Sequence, residues 1–199
     1  EQQAIKPNPF FQEERSDKRP IIALLAGSRR QEIKDNLPTM LDVAETYPTH
    51  QPIIAGAPGI EPDYYQQYIG DKPVKILFGQ TYALLQHSDV ALVTSGTATL
   101  ETALFRVPQV VCYYVKAGKI ASFIFRHFFH TPYISLVNLI AGREVVQELF
   151  GARFSRKQIE EELGRILYDK KYRDQMLQGY DEIIQVLGKP GASQRTASL

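Results

Sequence analysis

Five short apolar runs recur along the chain, and helical periodicity fills most of the intervals between them. The first, residues 21–26 (IIALLA), is apolar at every position and stops at Gly27. A strand wetted on one face alternates polar and apolar residues; a run without alternation is covered on both faces, as in parallel sheets. Residues 52–56 (PIIAG), 74–79 (VKILFG), 89–94 (DVALVT) and 109–115 (QVVCYYV) repeat the pattern, and residues 133–137 (YISLV) suggest a sixth strand. Between the runs, residues 30–47 put Ile33, Leu37, Met40, Leu41 and Ala44 on one helical face, with Pro38 expected to kink or restart the helix. Residues 82–87 and 97–105 are shorter helical candidates. Short buried strands alternating with helices predict a doubly wound, mainly parallel α/β sheet. Ligands of such sheets bind beyond the carboxyl ends of the strands.

Residues 1–19 are polar, carry two prolines and suggest a linker from a preceding domain. Residues 20–188 form the expected folded unit, and residues 189–199 a polar tail. From Ser155 onward the chain is helical in character. Ser155 and Gln158 fit a capping box, and Ile159, Leu163, Ile166 and Leu167 make an apolar stripe. A second helix is expected over residues 172–187, up to Gly188. Lys and Arg number 23 against 22 Asp and Glu, so the basic excess of a nucleic-acid binder is missing and no such partner is expected. The hydrophobic share of 44% is that of an ordinary globular chain, and no apolar run approaches a membrane span. Cys112 stands alone, makes no internal disulfide and suits a reducing compartment.

Two turns carry anion-binding chemistry. Gly27, Ser28 and Arg29 follow the first strand and precede a helix. Glycine lets a ligand approach closely, the serine hydroxyl bonds a helix end or a phosphate oxygen, and the guanidinium is a fork suited to phosphate. The bland alternative is a capped helix start with a solvated arginine. Ser95, Gly96, Thr97 and Ala98 follow the fourth strand in the same way, and Glu101 comes one helical turn later. Small residues here free backbone N–H groups at the positive end of a helix. A carboxylate at Glu101 could accept from two ribose hydroxyls; the alternative is a Ser95 cap with Glu101 in water. There is no G-x-x-x-x-G-K-[ST] loop and no G-x-S-x-G elbow, and His50, His87, His127 and His130 lack metal-ligand spacing. No metal or other cofactor is expected.

Two further segments stand out. Residues 116–130 (KAGKIASFIFRHFFH) hold Ile120, Phe123, Ile124 and Phe128 among cationic Lys119 and Arg126. Apolar residues all round a helix must pack on two sides or lie in a membrane interface. In residues 135–144 (SLVNLIAGRE), Asn138 and Gly142 suggest a turn, with Arg143 and Glu144 opening a helix; an Asn at a strand end binds a ligand or shapes its loop.

In this order the segments resemble the lipid-A-disaccharide synthases. That family carries L-L-P-G-S-R-x-x-E-I, matched here from Leu24 to Ile33 with Ala26 for proline; S-D-x-A-L-x-x-S-G-T-A-x-L-E, matched from Ser88 to Glu101; and S-L-P-N-L-L-A-G-R-E, matched from Ser135 to Glu144 with Val137 for proline and Ile140 for leucine.

The resemblance implies one Rossmann-like half of a two-domain GT-B glycosyltransferase, inverting and metal-independent. Its reaction joins UDP-2,3-diacylglucosamine to 2,3-diacylglucosamine 1-phosphate, releasing UDP, in bacterial lipid A synthesis. This chain is expected to be the C-terminal, donor-nucleotide half, with no catalytic residue of its own. The acceptor pocket and the catalytic base would belong to an N-terminal half. Gly27, Ser28, Arg29, Ser95, Gly96, Thr97, Ala98 and Glu101 would bind the nucleotide, with Asn138, Arg143 and Glu144 as further contacts. Residues 116–130 would dock on acyl chains and an anionic cytoplasmic membrane surface; a homodimer stays open. Two alternatives remain at this point: another UDP-sugar enzyme, such as a UDP-N-acetylglucosamine 2-epimerase, or a non-catalytic nucleotide-binding module.

Overall fold

A computed structural model describes residues 17–94, 96–114 and 133–188. Its strands are β1 (Ile21–Leu25), β2 (Gln51–Gly56), β3 (Lys75–Phe78), β4 (Val90–Val93), β5 (Gln109–Tyr113) and β6 (Glu148–Phe150). They form one sheet in the order β3-β2-β1-β4-β5-β6, and every neighbouring pair is parallel. The helices are α1 (Arg30–Ala44), α2 (Pro62–Ile69), α3 (Thr81–Gln86), α4 (Thr97–Leu104), α5 (Leu136–Ala141), α6 (Arg156–Tyr168) and α7 (Lys170–Leu187).

Every residue of β1 is buried, because successive side chains enter different cores. Ile22 and Leu24 face a large core shared with α1, α2, α6 and α7; Ile21, Ala23 and Leu25 face a smaller one closed by Leu84 and Leu85 of α3. A strand buried on both sides has no polar face to show, which is why the apolar runs of the sequence are continuous. The strand order reverses between β1 and β4, and that reversal opens a crevice at the carboxyl end of the sheet.

Three local expectations change. Helix α1 runs unbroken through Pro38, since Leu37, Met40 and Leu41 on either side are buried and their packing outweighs one missing hydrogen bond. The sixth strand is Glu148–Phe150 rather than residues 133–137. There, Ser135 caps a helix, its Oγ accepting from Asn138 N at 3.2 Å. Asn138 lies inside α5, Gly142 ends that helix in the left-handed region at φ 65°, and Arg143 and Glu144 open no helix; they belong to the bends leading into β6. The caps at Ser155 and Asp169 start α6 and α7. Among the described residues no helix is long and apolar enough to cross a membrane.

The C-terminal helices brace the opposite end of the sheet. Arg173 of α7 donates to the Asp89 carbonyl at 3.0 Å and to its carboxylate at 2.8 Å, and Tyr47 OH donates to the Glu160 carbonyl of α6 at 2.7 Å. Between α6 and α7, Glu162 is buried and accepts from Tyr172 OH at 2.5 Å. Burial raises the Glu162 carboxyl above its ordinary range, although the Tyr172 bond and Arg165 pull the other way. A carboxyl raised on folding contributes stability below its unfolded value, near pH 4.3, and loses it as pH climbs through the folded value. Glu162→Gln should therefore gain melting temperature relative to the unaltered chain as pH goes from 4 to 7. Thermal unfolding by circular dichroism measures that gap; a gap that narrows with pH contradicts the assignment.

Candidate functional site

The crevice between β1 and β4 holds a cleft of about 320 Å³. One wall is the turn after β1. Gly27 has φ 122°, a backbone state that side chains with a Cβ rarely adopt. The turn wraps a single carboxylate: Glu32 Oε2 accepts from Ser28 N at 2.9 Å and Oε1 from Arg29 Nη1 at 2.9 Å. A Cβ at Gly27 would lie 2.5 Å from the Glu32 Cβ, so glycine is needed here for shape as well as for φ. The N-cap residue of α1 is Arg29 rather than Ser28. Its side chain is 79% exposed at the mouth of the cleft and pairs with Glu32.

The facing wall is the start of α4. Gly96 is its N-cap at φ 140°, and the space beside its Cα is open. The N–H groups of Thr97 and Ala98 fall in the first helical turn, where no earlier carbonyl of the helix can take them. Glu101 lines the cleft one turn further on. Ala55, Gly56, Ala57 and Pro58 after β2 and Thr81 at the start of α3 close the remaining side, and Thr94 lies in the floor. Positive helix ends, an exposed guanidinium and a carboxylate together suit a ligand with phosphates at one end and hydroxyls at the other.

Seven of the expected binding residues thus share one cleft: Gly27, Ser28, Arg29, Gly96, Thr97, Ala98 and Glu101. Ser95 lies outside the described residues, as do residues 116–130 with Lys119, Ile120, Phe123, Ile124, Arg126 and Phe128. Asn138, Arg143 and Glu144 do not line the cleft. Asn138 is fully buried, and its amide is used up by its own chain: Oδ1 accepts from Val145 N and Val146 N at 2.7 and 3.0 Å, and Nδ2 donates to Val146 O and Glu148 Oε1 at 2.8 and 2.9 Å. Arg143 pairs with Glu182 of α7 at 2.6 Å. Glu32 and Thr94 are cleft residues that sequence reasoning passes over. Glu32 could have been found as the first acidic residue inside a helix behind a Gly-Ser turn; Thr94 looks like the last residue of a strand.

A larger, more open hollow of about 650 Å³ lies along α6, against Tyr47. Its charges already face each other, Arg156 with Glu160 at 4.0 Å and Lys157 with Glu161 at 3.8 Å. Among the described residues no three His, Cys, Asp or Glu side chains gather to hold a metal. Burial pushes the Cys112 thiol up to about 12, which leaves it protonated and unreactive in the core.

Solved structures similar to the chain share its fold. A putative UDP-N-acetylglucosamine 2-epimerase from Listeria monocytogenes superposes with a TM-score of 0.58 at 12% identity, over 92% of this chain and 47% of that one. The calicheamicin glycosyltransferase CalG4 does so with a TM-score of 0.56 at 15% identity, over 91% and 43%. Among curated sequences, the lipid-A-disaccharide synthase of Solibacter usitatus is 31% identical over 199 residues, 98% of this chain and 52% of its own length. That of Myxococcus xanthus is 36% identical over 184 residues, 89% and 48%. The chain thus spans about half the length of these relatives. The sequence profile of the lipid-A-disaccharide synthetases matches residues 3–198, and the chain belongs to that family.

Proposed function

We propose that this chain is the donor-nucleotide half of a lipid-A-disaccharide synthase and that its cleft holds the UDP portion of UDP-2,3-diacylglucosamine. The observation that carries the reading is the meeting of two strand–turn–helix ends, Gly27 to Arg29 and Gly96 to Glu101, in one cleft at the sheet's reversal point. The donor site takes in these residues; Asn138 is spent inside its own chain, Arg143 pairs with Glu182, and Glu144 does not line the cleft. Membership of the family supports the acyl-sugar chemistry, and the epimerase likeness extends to fold alone.

In the proposed reaction the sugar passes to 2,3-diacylglucosamine 1-phosphate with inversion at its anomeric carbon. Negative charge builds on the departing pyrophosphate. Fixed donors that face this charge lower the barrier more than they strengthen substrate binding. The Arg29 guanidinium, the Ser28 hydroxyl and the N–H groups at the start of α4 fill that role, and Glu101 accepts from the ribose hydroxyls. The base that activates the acceptor comes from the N-terminal half, so the 199-residue chain binds UDP without turning over. The whole enzyme works at the cytoplasmic face of the inner membrane, which residues 116–130 contact.

Calorimetry of UDP and of pyrophosphate against the 199-residue chain tests the reading. UDP should bind, and Glu101→Gln, which keeps an acceptor but loses its charge, should weaken UDP by roughly 5- to 10-fold, while leaving pyrophosphate unchanged. A chain that binds neither ligand, or a Glu101→Gln variant that binds UDP like the parent, sinks it.

A further inference from the structure

We propose that Thr94 is a ligand contact of the cleft, its hydroxyl donating to a phosphate oxygen of the bound nucleoside diphosphate. This rests on the donor-nucleotide reading. Thr94 is the first residue beyond β4, and its N–H donates to the Leu25 carbonyl at 2.9 Å, continuing the β1–β4 pairing of Leu25 with Val93. It therefore sits where the strand order reverses, between the Gly27–Ser28–Arg29 turn and the start of α4, and it lines the cleft.

The residue is 2% exposed, and its Oγ1 has no hydrogen-bond partner among the described residues. Other threonines nearby are satisfied: Thr99 Oγ1 donates to the Gly96 carbonyl at 2.8 Å and Thr102 Oγ1 to the Ala98 carbonyl at 2.7 Å. A buried hydroxyl with nothing to bond destabilises a fold, and a methyl of the same shape would serve the site better. The strand that leads into it is made of Val90, Ala91, Leu92 and Val93, so valine at position 94 would suit the local packing. The hydroxyl costs the empty chain stability and finds its partner in the ligand. It lies just below the cleft surface. A turn of about 120° around the Cα–Cβ bond carries the hydroxyl into another staggered position, and no hydrogen bond of Oγ1 among the described residues is broken in doing so. The neighbouring donors on both sides of the floor are those that face phosphate, which assigns the hydroxyl to that end of the ligand rather than to the base.

The experiment compares Thr94→Val and Thr94→Ser with the unaltered 199-residue chain, using UDP and uridine in calorimetry and melting temperature without ligand. Thr94→Val should melt about 2–4 °C higher, bind UDP roughly 5- to 10-fold more weakly, and bind uridine unchanged. Thr94→Ser should keep UDP affinity within about 2-fold, since the hydroxyl is retained. Opposite signs on stability and affinity are what a purely structural threonine does not produce. Thr94→Val that binds UDP like the parent, or that loses melting temperature together with affinity, overturns the assignment. An equal loss for uridine overturns its placement at the phosphates. If the unaltered chain fails to bind UDP at all, the nucleotide reading falls and takes this one with it. If it binds and only the Thr94 variants leave affinity unmoved, the nucleotide reading stands alone.

Discussion

Asn138→Ala should remove about 3–5 kcal/mol of stability and should do so with or without nucleotide present. The amide fills all of its hydrogen-bonding capacity inside the chain. Truncation strands the N–H groups of Val145 and Val146 in the core and takes one donor from the Glu148 carboxylate. That carboxylate is itself buried, and it holds Ile134 N at 2.9 Å, Ser135 N at 2.9 Å and Ser135 Oγ at 2.6 Å. One amide therefore ties the start of α5 to the bends before β6 and to β6 itself. Asn138→Asp should lose as much, because it replaces the donor facing Glu148 with a second carboxylate. Urea unfolding of the three proteins reads the loss. A variant of near-normal stability that fails to bind UDP would return Asn138 to the ligand site.

Arg29→Ala should weaken UDP binding by about 10- to 100-fold, equivalent to roughly 1.5–3 kcal/mol for a charge-assisted bond to phosphate. Stability should barely change, since the side chain is 79% exposed and its ion pair with Glu32 is a surface one. Arg29→Lys should recover part of the affinity, because an ammonium cannot present two parallel donors. Pyrophosphate should weaken along with UDP, in contrast to Glu101→Gln, which separates the two. Calorimetry at fixed ionic strength checks this, with circular dichroism to confirm folding. UDP binding that survives in Arg29→Ala reduces the turn to a helix start.

The contrast between these two residues shows where sequence reasoning is strong. The sheet is legible because parallel strands buried on both faces must be apolar throughout, as β1 and β4 are. The cleft is legible because a turn at a strand's carboxyl end that must approach a ligand selects small residues, here Gly27 and Gly96. Strand β6 is not legible. It is three residues long and carries a buried glutamate, so neither length nor hydropathy marks it. Asn138 misleads for a related reason: an asparagine that satisfies buried backbone looks, in one dimension, like an asparagine that waits for a ligand. Helix α2 is missed because proline at its first turn, Pro62, follows Gly59 and Pro58 and blends into the loop. Glu32 is hidden because its role depends on the turn folding back over it, a contact between residues four apart that only φ 122° at Gly27 makes available.

The strand order has a consequence for how the chain is made. Within this chain β1 is translated before the other strands yet ends at the centre of the sheet, and β2 can join it soon after. Its other neighbour, β4, must wait until two further strand–helix units have been translated. The larger core stays open longer still, because Ile159, Leu163, Ile166, Met176, Tyr180 and Ile183 cover it from α6 and α7, the last helices in the order. During that interval the apolar face of a nascent parallel sheet is uncovered, a state prone to association with other chains. The larger core is thus closed by the last of the described helices, and the Arg173 clamp on Asp89 fastens that helix to the residue just before β4.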